Sequence, residues 1–182
     1  MTTAVPKRLQ AGSDEYHLPS SREQRNLQHR YMGKEIDTKK ILILGIGNTL
    51  RGDDGAGIYV AGEIERMTIP GVSVIILQQL QTELAEQMTA YDTIIIADAS
   101  VKEQPLEFYA LKESGNQAAA SSHHTDAALL AGLADSLYKK RPQILICSIK
   151  GENFEMQEGL SSLTLERADK AVLLIKEWIQ QH

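Results

Sequence analysis

The sequence predicts an α/β fold in three layers: helices on both faces of a five-stranded, mostly parallel sheet. Two observations carry the prediction. Short, nearly continuous apolar runs, the mark of strands buried on both faces, recur along the chain, and stretches with apolar residues at helical spacing alternate with them. A third concerns location: the first run ends in a glycine turn, and in such sheets chemistry collects where strands end at their carboxyl edge.

Taken in order, residues 1–38 are a polar preface in which Lys7, Arg8, Arg22, Arg25 and Arg30 mix with acids, Gln and Ser. Its apolar residues are sparse and aperiodic, so a disordered or loosely docked arm is expected. Met32 stands just ahead of the first strand and is a second candidate start of translation, a true extension being the alternative. Residues 39–182 are expected to form the single domain.

Residues 41–46 (Ile-Leu-Ile-Leu-Gly-Ile) read as a first strand. Residues 54–67 carry Ile58, Ala61, Ile64 and Met67 on one helical stripe. After the Pro70-Gly71 turn, residues 72–77 form a second strand and 82–89 a short helix. Residues 92–97 are a third strand, ending before Asp98. Residues 105–111 alternate, as an edge strand does, and 114–122 are a small-residue loop. Residues 126–138 carry Leu129, Leu130, Leu133 and Leu137, a third helix, with Thr125 or Asp126 as its cap. Residues 143–149 are a fifth strand. The last helix spans 163–181, with Leu165, Ala168, Val172, Ile175 and Ile179 on one stripe.

Composition narrows the function. A net charge of -5 over 182 residues leaves no electrostatic footprint for nucleic acid or an anionic membrane. No apolar stretch is long enough to span a bilayer, and the N-terminus lacks a signal-like apolar segment, so the cytoplasm is the expected location. The single cysteine, Cys147, lies in an apolar run and reads as a buried structural thiol.

Three segments should reach the carboxyl edge of the sheet, and each brings a candidate. Asp53 and Asp54 are adjacent acids at a helix start. One is expected to cap that helix; two like charges so close disfavour each other unless a cation is near, which leaves the second for function. Asp98 directly follows a buried run, where an acid is costly unless it reaches solvent, a donor or a metal. In Ser122-His123-His124-Thr125-Asp126, at most one of the two histidines can face the rim. Two carboxylates and an imidazole suit a borderline divalent metal such as nickel or zinc, in an open site. Gly47 and Gly55 allow either close approach of a substrate backbone or simple turn geometry. Familiar devices are missing: Leu50 occupies the third glycine's place in a dinucleotide fingerprint, and there is no Walker loop, no Gly-x-Ser-x-Gly elbow and no His-Glu-x-x-His helix.

The stretch Gly45-Ile46-Gly47-Asn48-Thr49-Leu50-Arg51-Gly52-Asp53-Asp54-Gly55-Ala56-Gly57 resembles the signature of the [NiFe]-hydrogenase maturation endopeptidases. The resemblance continues through Ile95-Ile96-Ala97-Asp98-Ala99, Ser122-His123 and the segments around Gly151-Glu152-Asn153-Phe154 and Glu158-Gly159-Leu160-Ser161, covering about residues 40–180. It implies an enzyme that removes a short C-terminal peptide from the precursor of a hydrogenase large subunit once nickel has been loaded. It also implies an α/β/α sandwich around a five-stranded sheet, metal contacts at Asp54, Asp98 and His123, and a monomer; three ligands are too few to need a permanent metal, so the nickel is expected to arrive with the substrate. The rival readings are a non-catalytic, nickel-dependent assembly chaperone of the same subunit and a nucleotide-binding domain. Against the latter, the acid pair would repel pyrophosphate.

Overall fold

In β1 (Ile41–Ile46) every residue is buried, because helices cover both faces of the sheet to which it is central. The computed structural model describes residues 39–111 and 122–182, without the side chains of 122–125. The preface, Met32 included, and residues 114–121 of the small-residue loop lie outside the described residues. Backbone contacts divide the chain into two units, Met1–Asp37 and Thr38–His182, and every element named below belongs to the second.

From β1 the chain enters a 3₁₀ turn (Gly52–Gly55), then α1 (Ala56–Arg66), β2 (Val72–Leu77), α2 (Leu84–Met88), β3 (Thr93–Ser100), β4 (Leu106–Ala110), α3 (Ser122–Tyr138), β5 (Gln143–Lys150) and α4 (Ser162–Gln181). The strand order is β2-β1-β3-β5-β4, with β4 antiparallel at one edge and all other pairings parallel. The five-stranded, mostly parallel sandwich expected from the sequence is therefore the fold.

Strand alternation sorts the core into two halves. Ile41, Ile43, Ile95, Ala97, Leu145 and Cys147 face α1 and α4. Leu42, Leu44, Ile94, Ile96, Ile144 and Ile146 face α2 and α3. Each large side chain so sealed contributes about 1.5–3 kcal/mol. Cys147 lies fully inside, and burial pushes its thiol up to about 12, as suits an inert packing residue.

The helices meet the sheet through smaller residues than the leucine pattern suggests. α3 packs through Ala127, Leu130 and Ala134, leaving Leu129 and Leu137 55% and 66% exposed. α4 packs through Ala168, Ala171, Val172 and Ile175, with Leu165 at the margin. α1 uses Val60, Ala61 and Ile64, and Met67 is exposed. Alanine lets helix and sheet backbones approach closely, and large residues on neighbouring stripes are turned outward. The extreme case is Gly57, where a Cβ would stand 2.3 Å from the carbonyl oxygen of Ala97 and 2.4 Å from that of Ile46. The start of α1 is thereby wedged onto the ends of β1 and β3.

Two boundaries shift in ways that bear on function. β3 does not stop before Asp98; it stays on the ladder to Ser100, with Asp98 opposite Ser148 of β5. α3 begins at Ser122, so Thr125 and Asp126 lie inside the helix rather than at its cap.

Candidate functional site at the carboxyl ends of β1 and β3

The strand order reverses between β1 and β3: α1 leads from β1 to one side and α2 returns the chain to the other. A crevice opens at such a switch point. At its floor, Gly45 of β1 pairs with Ala97 of β3, so Asp98 stands beside the last residue of β1. Alternation puts Asp98 on the same face as Ile94 and Ile96, the face covered by α2 and α3. Asp98 is buried, at 8% exposure.

Gly47 follows β1 with φ +140°, and a Cβ there would lie 1.7 Å from the carbonyl oxygen of Asp54. The chain itself, not a substrate, makes the close approach that glycine permits at this position. The turn is folded back onto the strand end, and Asp54 enters a cleft of about 540 Å³ lined also by Gly47, Arg51, residues 78–82, Asp126 and Leu130. Asp98 does not line it. α3 has 17 residues, about 25 Å of helix. That is enough to run the depth of the sheet, from Asp126 in the cleft to the start of β5 at the opposite edge. His123 belongs to the first turn of α3, one turn before Asp126; its side chain and that of His124 lie outside the described residues. Among the described residues no three His, Cys, Asp or Glu side chains are grouped to hold one ion.

Neither acid of the Asp53-Asp54 pair caps α1, contrary to expectation: no side chain caps the 3₁₀ turn or the helix after it. Asp53 is instead a pin, with 0% exposure. Its Oδ1 accepts from the Ser161 N–H at 2.6 Å. Its Oδ2 accepts from the N–H groups of Glu152 and Asn153 at 2.7 and 2.9 Å, and from the hydroxyls of Ser161 and Thr164, both at 2.8 Å. Burial by itself would raise this carboxyl, but the donors, led by the Ser161, Glu152 and Asn153 amides and the Thr164 hydroxyl, outweigh it and hold the group at about 2. Ser161 is the N-cap of α4, its hydroxyl accepting from the Thr164 N–H, so the anion also sits at that helix's positive end. The main chain adds two ties, Gly52 N–H to Gln157 O and Asp53 N–H to Asn153 O, each 2.8 Å.

The pin was missed from sequence. Ser161 caps α4, but nothing in one sequence pairs that cap with an acid more than a hundred positions earlier.

A Methanocaldococcus jannaschii protein assigned as a hydrogenase maturation protease is 27% identical over 146 residues, which cover 75% of this chain and 94% of that relative. The hydrogenase maturating endopeptidase HybD of E. coli superposes with a TM-score of 0.66 at 21% identity, over 78% of this chain and 93% of its own. The [NiFe] hydrogenase maturation protease HycI of Thermococcus kodakarensis superposes with a TM-score of 0.63 at 24% identity, over 80% and 95%. No family model matches the chain.

Proposed function

We propose that this chain, which is similar in sequence to one hydrogenase maturation protease and in fold to two others, is the endopeptidase that trims the C-terminus of a nickel-loaded [NiFe]-hydrogenase large-subunit precursor. The observation carrying the reading is the convergence on one end of the sheet of the Asp54 turn, the Asp98 strand end and the first turn of α3.

In this reading the nickel is cargo. Held by the precursor, it offers open positions to Asp54, Asp98 and His123. Two carboxylates and an imidazole leave a cation's other positions to the client's own ligands, so binding depends on whether the client is loaded. His123 is preferred to His124 because position 123 shares a helical stripe with Asp126, Ala127 and Leu130, which face the cleft and the core. The docked metal would act as a Lewis acid on the scissile carbonyl or on an attacking water, or it would serve only to dock the client while a carboxylate of the site acts as general base, worth about 10²–10⁴-fold. A cytoplasmic monomer belongs to the same proposal.

The test is to mix the protein with precursor, with and without nickel, and follow precursor mass. Loss of a C-terminal fragment from loaded precursor only is expected, abolished by Asp98→Ala and by His123→Ala at unchanged circular dichroism. Normal trimming by both variants would overturn the ligand assignment. Loaded precursor that is bound but never shortened would identify a chaperone instead.

A further inference from the structure

Asp54 shares its cleft with a single basic residue among those lining it, Arg51. The main chain of Arg51 is fixed on several sides. Its N–H donates to Asn48 O at 3.0 Å, its carbonyl accepts from the Asp54 N–H at 3.1 Å, and it forms a parallel bridge with Gln157. Two residues on, the Asp53 pin locks the turn. The side chain, by contrast, is exposed and joins no ion pair among the described residues, although Asp54 and Asp126 line the same space. Unpaired surface arginines are ordinary. One anchored by a pinned turn and lining an acid-bearing cleft together with the uncharged Gln78, Gln79 and Gln81 is placed to meet something carried in by the client.

We propose that Arg51 is a catalytic residue that donates hydrogen bonds to the carbonyl oxygen of the scissile peptide, a role that rests on the endopeptidase reading above. Water oxygen bonds to the carbonyl carbon while the carbonyl π pair moves onto its oxygen, beside the guanidinium. A carboxylate of the site takes one water proton. As the oxyanion collapses, the C–N bond breaks, its electron pair leaves on nitrogen, and that proton is handed to the nitrogen; the second water proton dissociates from the new carboxyl group. Arginine suits the task because its charge is permanent and its donors lie in a fixed plane. The precursor itself shields the guanidinium from water when it docks, which strengthens the interaction where the negative charge develops.

The experiment measures kcat and KM on nickel-loaded precursor for the full chain and for Arg51→Ala, Arg51→Met and Arg51→Lys, each checked by thermal melting. Arg51→Ala should lose about 10²–10³-fold in kcat, with KM within about threefold, and Arg51→Lys, which keeps the charge but not the planar fork, should recover only part of the loss. Should the alanine variant fail to fold, Arg51→Met, which keeps the aliphatic stem, is read in its place. A kcat within about threefold of the parent, or a loss confined to KM, overturns the proposal while leaving the endopeptidase reading intact. Loaded precursor left uncut by the parent protein overturns that reading, and this role with it.

Discussion

On one side of the Gly52–Gly55 turn, five donors close on the carboxylate of Asp53 and exclude water from it. On the other side, one peptide bond away, Asp54 opens into a cleft whose other walls are an arginine, a run of amides and the first turns of α3. The two acids have the same chemistry and opposite surroundings. Asp53 has its hydrogen-bonding capacity met inside the protein, so its charge is spent on holding the turn. Asp54 looks outward, so its charge is available to whatever enters. Division of labour between neighbouring carboxylates is set by which side of a single turn each one faces.

The comparison breaks most readily at Asp53. Replacing it with alanine strands several buried donors, at about 3–5 kcal/mol, and should lower the melting temperature by roughly 10 °C. Asp54→Ala should move it by no more than about 2 °C, because the side chain serves the cleft and not the fold. Equal shifts in calorimetry would erase the distinction.

Acid titration sharpens it. The Asp53 carboxyl is depressed from 3.8 to about 2 in the folded protein. Its stabilisation is therefore complete above about pH 4 and is lost as pH falls toward 2, a contribution of about 2 kcal/mol. Urea unfolding between pH 5 and 2 should show that decline in the parent and a much flatter profile in Asp53→Asn. A parent profile as flat as the variant's would mean the carboxylate is not the anchor. The smallest effect belongs to Thr164→Val, which removes one hydroxyl from Asp53 and should cost about 1 kcal/mol without altering cleavage of precursor.

Much of the fold was legible in the chain, and the exceptions have physical causes. β1 begins and ends where its apolar run does, because a strand covered on both faces is written in continuous aliphatic residues. β3 runs past its apolar stretch because its last residues pair with the equally polar end of β5, at the rim of the sheet. The helix faces were misread where alanines, not leucines, make the contact: Leu129 and Leu137 follow the period of α3 yet lie off its buried stripe. Asp54 lies in the turn after β1 and Asp98 near the end of β3, both beside the switch point, and His123 belongs to the first turn of a helix that reaches the cleft. What the sequence could not show is which acid of the pair was spoken for, since the donors to Asp53 come from the far end of the chain. Arg51 was visible only as one letter of a motif; the hydrogen bonds that hold the turn beneath it appear only in the fold.

The span of the Asp53 pin carries a consequence for how the protein comes into being. Its partners lie 99 to 111 positions downstream. During synthesis, strands β1 to β3 emerge and can pair long before residue 164 leaves the ribosome. Until residue 152 emerges the anion has none of its donors, and the clamp is complete only with Thr164. A nascent or C-terminally truncated chain can thus acquire strands without acquiring a set cleft, and the cleft is completed only with α4, among the last parts of the protein to be made.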